Sequence, residues 1–253
     1  MSTPSPASIP FEQLFVRHGA ASFDKQIYLQ AMLGKSGWSF SLDEGILAFR
    51  LPHETLQLSV QLLGSESTAA QTWLWSWANT DSVIPAPLLA AADQLRSLGQ
   101  TDQIPEFTTE VLSLSPDVNG SRIAAIATGV ARAACYFRVA YPGGVLYMLI
   151  KDARYKRSVR HPLQRIARIF PLFAPEIRVK KQREAYLHYL TFYRLVIRQE
   201  ENRIFACSAP LSAEPTAVPA ESFDPLQLNA AQPNCLVADI DEAGQVNILP
   251  LSA

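Results

Sequence analysis

Apolar side chains at the start of the chain recur with a helical period. After Pro10, Phe11, Leu14, Phe15 and His18 fall at helical spacing, Ile27, Tyr28 and Ala31 continue the face, and Gly34 and Gly37 stop it. The pattern predicts a helix over about 10–33 behind an unstructured lead at 1–9. The period then drops to two. Trp38 to Leu42 alternates, Asp43-Glu44-Gly45 turns, and Ile46 to Phe49 returns, a hairpin signature. Leu56, Leu58, Val60 and Leu62 alternate with Gln57, Ser59 and Gln61. A polar loop over 64–71 leads to a further strand, Thr72 to Ala78. Four strands on short connections predict an antiparallel meander with one buried face.

Helical spacing returns downstream. Pro85 and Pro87 open a helix with Leu88, Ala91, Ala92 and Leu95 on one face, closed by Gly99. Ser115-Pro116 reads as the cap of another, with Ile123, Ile126, Ala127, Val130 and Ala134 in phase. Gly143-Gly144 turns into an apolar strand over 145–150. His161-Pro162 opens a helix with Leu163, Ile166, Ala167 and Phe170 on its face, limited by Pro171, and a second helix covers about 177–192. Around Glu200-Glu201-Asn202, a hairpin of 194–199 with 203–208 competes with continued helix. Residues 209–234, with five prolines, read as a linker, and 235–251 as a last hairpin around Glu242-Ala243-Gly244. The expected class is α+β, an antiparallel meander packed on helices. It divides into a domain over 10–150, a basic helical extension over 151–208, the linker, and the hairpin.

Trp73, Trp75 and Trp77 recur at a spacing of two, which on one strand puts three indoles on one face. Such a face either packs on helices as core or forms a platform for a ligand ring or partner. Core is favoured, because three exposed indoles would make an aggregation-prone patch. The run Thr72-Trp73-Leu74-Trp75-Ser76-Trp77-Ala78-Asn79 resembles the signature of a bacterial family known only as a domain of unknown function. Leu95 to Gly99, Ile104 to Thr108, the Ala-rich helix ending in Tyr136-Phe137-Arg138, and the Gly143 to Tyr147 strand extend the resemblance over about 20–150. It implies kinship and no chemistry.

Charge changes the picture beyond 150. Residues 151–198 hold thirteen Lys or Arg against three acids, residues 199–253 one base against eight acids, and the whole chain nets −1. A basic block of this kind attracts anions. Lys156, Arg157, Arg160, Arg165, Arg168, Lys180, Lys181 and Arg183 are the candidate anion-binding residues. Their expected partner is nucleic acid, an anionic membrane surface or an acidic protein. The competing expectation, at even weight, is that the acidic C-terminal segment folds back over the block. Lys180, Lys181 and Arg183 sit at a helix start, where the macrodipole disfavours cations, and this speaks for a partner.

Catalytic patterns fail on inspection. Gly34-Lys35-Ser36 lacks the first glycine of a phosphate loop, and Asp239-x-Asp241 lacks the terminal Glu of a calcium loop. His18, His53, His161 and His188 are scattered, and His18 on an apolar face suits a hydrogen-bonded core role. Cys135, Cys207 and Cys235 show no ligand spacing and are expected as reduced thiols, Cys135 an inert one in an apolar helix. No catalytic, cofactor or metal residues are assigned. No apolar run reaches about 20 residues and no basic-then-apolar leader is visible, so a soluble, cytoplasmic protein is expected. The leading expectation is a non-enzymatic binding module acting through 151–198. The alternative is an enzyme or small-ligand binder with a pocket beside the Trp-rich strand.

Overall fold

The computed structural model describes residues 8–155, 159–208 and 235–250. The expected linker at 209–234, and residues 1–7 of the expected lead, lie outside the described residues. The chain divides into two compact units, Met1–Ser158 and Val159–Ala253.

In the first unit, helix α1 (Ser8–Leu33) precedes strands β1 (Gly37–Ser41), β2 (Ile46–Arg50), β3 (Thr55–Ser67) and β4 (Thr72–Trp75). A 3-10 turn (Ser76–Ala78) leads to α2 (Ala86–Asp102), α3 (Pro105–Thr108), β5 (Val111–Ser113), α4 (Gly120–Val130), β6 (Cys135–Tyr141) and β7 (Gly144–Ile150). The seven strands form one curled antiparallel sheet in the order β1-β2-β3-β4-β5, with β7 also on β3 and β6 on β7.

The long strand β3 organises this sheet. Its residues 55–59 pair with β2, 64–67 with β4 and 60–67 with β7. The Ser59 carbonyl accepts from Lys151 N while Val60 N–H donates to the Gly45 carbonyl. Successive residues of a strand point to opposite neighbours, so β2 and β4 share one edge of β3 and β7 takes the other. A bulge at Leu63 shifts the register, pairing Leu62 with Met148 but Gly64 with Tyr147. The bulge therefore sends Leu62 and Gly64 to opposite faces, where unbroken alternation would leave them on the same one. For this reason the segment over 64–67, expected as a polar loop, is strand.

Four further expectations are corrected. Strand β4 stops at Trp75, and Trp77 lies in the 3-10 turn. Helix α4 is capped by Asn119, whose side chain accepts from Arg122 N at 3.0 Å, not by Ser115. Residues 135–141 are strand β6 instead of a helix end. The chain leaves α4 at Val130 and reverses through Arg132 in the left-handed region (φ 52°). Gly99 lies inside α2 because a Cβ there would meet Phe107 Cβ at 2.7 Å, so it permits α3 to close on α2.

One face of the sheet carries an aromatic core. Trp73 and Trp75, both 0% exposed, meet edge-to-face at 5.4 Å, Tyr147 lies 5.3 Å from Trp73, and Phe107 joins Trp75 (6.0 Å) to Phe11 of α1 (5.8 Å). The expected core role of Trp73 and Trp75 is what the structure shows. A second cluster joins Leu47, Phe49, Leu58, Val60, Leu62, Met148 and Ile150 from the strands with Leu29 of α1 and Leu88 of α2.

In the second unit, α5 (Pro162–Phe173) and α6 (Val179–Phe192) precede β8 (Val196–Gln199), β9 (Arg203–Cys207), β10 (Cys235–Ile240) and β11 (Val246–Ile248). Pro171 lies within α5 instead of limiting it. The strands form one antiparallel sheet, β11-β10-β9-β8. Thus 194–208 resolves as a hairpin, and the C-terminal hairpin joins it in a single sheet. Leu236, Ala238 and Ile240 are buried beside Ile204 and Ala206, and α5 and α6 supply Ile166, Phe170, Tyr186 and Tyr189 to the core. The buried Gln182 amide donates to the Ala174 carbonyl (3.1 Å) and accepts from Val246 N (3.2 Å), tying both helices to β11. Cys207 and Cys235, expected as reduced thiols, are joined by a disulfide. They face each other in the β9–β10 register with Cα atoms 4.1 Å apart, a proximity invisible across a separation of 28 residues.

A Cβ at Gly64 would lie 2.4 Å from the Leu74 carbonyl oxygen and 2.6 Å from the Trp73 ring. Gly64→Ala is therefore expected to destabilise the first unit by about 2–3 kcal/mol, read from the midpoint of urea unfolding followed by tryptophan fluorescence.

Candidate functional site

β2 leaves the shared edge of β3 at Ser59 and β4 joins it at Gly64, so between them the edge has no neighbouring strand among the described residues. The Ser76 hydroxyl partly closes this gap by donating to the Leu62 carbonyl at 2.9 Å. Beside it lies a hollow of about 170 Å³. Phe40 and Leu42 from the end of β1, Leu62 from β3, Leu74 from β4, Ile84 from the following loop and Leu146 from β7 make its apolar wall. Ser65, Ser76, Asn79 and Ser82 make its polar rim. The Asn79 side-chain Oδ1 accepts from Asp81 N at 3.0 Å, shaping the rim loop. Hydroxyls and an amide can orient a neutral ligand, and none of these side chains exchanges protons near neutral pH.

The hollow adjoins the Trp-rich strand, but the indoles point mainly elsewhere. Trp75 donates its ring N–H to the Glu106 carbonyl at 3.1 Å and lends the hollow only part of its wall. Trp77 stacks on Trp75 (6.3 Å, 17° between planes) beneath the Arg96 guanidinium at 4.1 Å from its centroid. The three indoles therefore do not form an open platform.

The basic block is divided between the two units. Lys151 and Arg154 belong to the first unit, where Lys151 Nζ donates to the Ala131 carbonyl and Arg154 pairs with Asp152. That pairing holds the Asp152 carboxyl well below the usual range. Lys156 and Arg157 lie outside the described residues. In the second unit, Arg160, Arg168 and Lys180 are exposed and Arg165 is half-buried on α5. Lys181 pairs with Glu184 at 3.1 Å. Arg183 donates to the carbonyls of Glu200 and Glu201, both at 3.1 Å, and Gly244 of the Asp241–Gly244 turn lies against the Lys180 backbone. Two turns that contain acidic residues thus lie against the start of α6, one through backbone carbonyls and the other through backbone contact. Phe170, Phe173, Tyr186 and Tyr189, aromatics of the same stretch, are buried in the core.

Other candidates resolve as structure. His18 packs against Gly129 of α4. Cys135 is buried at the start of β6, its thiol pushed up to about 12 by burial, so it is inert although it lies on a strand and not a helix. Asp241 Oδ1 accepts from Ala243 N and Gln245 N, the hydrogen bonding of a hairpin turn. Among the described residues no group of His, Cys, Asp and Glu could hold a metal ion.

Fold and hollow together define an α+β domain with a curled antiparallel sheet and a neutral, mainly apolar hollow at one edge of its central strand. Residues 12–153 match the model of a family of unknown function, DUF6882, and the chain belongs to that family. The match takes in α1 as well as the expected span. No curated protein and no solved structure matches the chain.

Glu106, on α3 under Trp75, is buried, and burial pushes its carboxyl up from the ordinary value. A carboxyl held up in the fold favours folding while both states are protonated, and that contribution is lost as pH rises through the folded-state value. Glu106→Gln is therefore expected to gain stability relative to wild type as pH rises from 4 to 8, read as the difference in urea midpoints across that range.

Proposed function

We propose that the protein is a binding module whose ligand is a small, uncharged, largely apolar group held in the hollow beside β4. The observation that carries this reading is the lining, seven aliphatic or aromatic side chains under a rim of hydroxyls and one amide. The size narrows it further. A hollow of about 170 Å³ is of the order that accepts a benzene-sized guest and falls below the ~300–1,000 Å³ of sites for drug-sized molecules. The rim provides hydrogen bonds for orientation, which suits holding a ligand more than moving protons.

A second reading has its own support. Arg160 and Arg168 are exposed on the second unit, in keeping with contact to nucleic acid, an anionic membrane surface or an acidic protein. It is weaker than the charge count suggests, because Lys181 and Arg183 have partners within the unit, Glu184 and the carbonyls of Glu200 and Glu201. Both readings are framed for a cytoplasmic protein, and among the described residues no helix is long and apolar enough to cross a membrane.

Phenol and cyclohexanol at millimolar concentration are expected to raise the melting temperature of wild type and to leave Leu74→Trp, which fills the hollow, unchanged. A shift of equal size in both proteins, or in neither, would sink the reading. For the second reading, retention on heparin should fall steeply with salt and drop further in Arg160→Glu/Arg168→Glu; retention indifferent to both removes it.

A further inference from the structure

We propose that the Cys207–Cys235 disulfide is a redox-sensitive clip that holds the β10–β11 hairpin across the start of α6. The chain leaves the second sheet at Cys207 and re-enters it at Cys235, 28 positions later. Between these points the hairpin has no short covalent tether to β9 apart from the disulfide. Its other attachments are the β9–β10 ladder from Cys207–Cys235 to Arg203–Asp239, the Val246 N–H to Gln182 bond, and the burial of Leu236, Ala238 and Ile240. Without the clip the hairpin must find its place from the end of a long connection. Losing a closed loop of this size is expected to raise the detached population by roughly 10²–10³-fold.

The two sulfurs differ in access. Cys207 is 8% exposed while Cys235 is half-buried at the start of its strand, so an incoming thiolate meets Cys235 first. The exchange balances with a dithiol as reductant. One thiolate of the dithiol attacks the Cys235 sulfur, the S–S bond breaks, and Cys207 leaves as a thiolate. The second thiol of the reductant then closes on the first and releases Cys235. Two electrons pass from the dithiol to the protein disulfide, the dithiol becomes a cyclic disulfide, and its two protons end on the cysteines. Cys135 lies buried in the other unit and takes no part.

What the hairpin carries gives the clip a consequence. Its Asp241–Gly244 turn lies against Lys180, and its β11 strand receives the Gln182 side chain. Detachment takes two carboxylates, Asp241 and Glu242, away from the cationic first turn of α6. It also uncovers the apolar face of α5 and α6. Oxidised, the turn covers that surface; reduced, the surface opens.

Hydrogen–deuterium exchange on the full chain, with and without dithiothreitol, tests this. On reduction, amides over 236–248 should lose protection by about 10²–10³-fold and regain it on reoxidation, while α5 and α6 keep theirs. The double variant Cys207→Ser/Cys235→Ser should show the reduced pattern without reductant; if it fails to fold, reduced wild type supplies the measurement. Unchanged protection over 236–248 overturns the proposal. So does an equal loss across 159–208, since the disulfide would then be a staple for the whole unit.

Discussion

The first unit depends on one strand being paired along both edges. β3 runs for thirteen residues, and every other strand of its sheet reaches it directly or through one neighbour. Its bulge at Leu63 is what lets this strand serve two cores. Before the bulge, Leu58, Val60 and Leu62 feed the cluster shared with β2 and β7; after it, Gly64 and Glu66 turn toward the tryptophans. Gly64 is required there because Trp73 occupies the space a Cβ would take. The hollow follows from the same arrangement, since β2 ends short of the bulge and β4 begins beyond it. The Trp-rich run thus works structurally. Two indoles fill the core, and the turn that carries the third brings Ser76 to the Leu62 carbonyl at the gap in the β3 edge.

Elements with one unbroken period were legible in the sequence. Helix α1, the β1–β2 hairpin and α6 lie within a few residues of where their spacing puts them, because each buries a single face. What escaped was where two periods coexist or where pairing is distant. Leu62-Leu63-Gly64 breaks alternation, so the far half of β3 reads as loop. Cys135 to Tyr141 follows an Ala-rich helix and is apolar enough to continue it, until Arg132 adopts a left-handed turn. The β9–β10 pairing and its disulfide span 28 residues with nothing local to announce them. The hollow was foreseen only as a pocket beside the Trp strand. Phe40, Leu62, Leu74 and Leu146 come from four strands, and no linear spacing connects them.

The charge segregation has a similar explanation. The run of cations along the chain crosses a boundary between compact units, at Ser158. Within the second unit, two turns that contain acidic residues approach the start of α6 through their backbone. Glu200-Glu201 offers its carbonyls to Arg183, and the Asp241–Gly244 turn sits beside Lys180. Exposed Arg–carboxylate pairs such as Arg203–Asp239 are screened by solvent and contribute little, so the arrangement serves more to place the turns than to hold the fold. Cohesion comes from Phe170, Tyr186 and the buried β10 face.

The family match ends near the boundary between the units, at residue 153 against Ser158. The coincidence separates the two readings by origin. The hollow, its gap in the β3 edge and the tryptophans that frame it all lie inside the shared domain. A ligand held there would therefore be a property to seek in other members that retain a small residue where Gly64 meets Trp73. The second sheet, its exposed arginines and its disulfide lie outside the match. Each unit has its own buried core. Chemistry at the hollow and redox control of the hairpin are accordingly separable, and neither needs the other to be true.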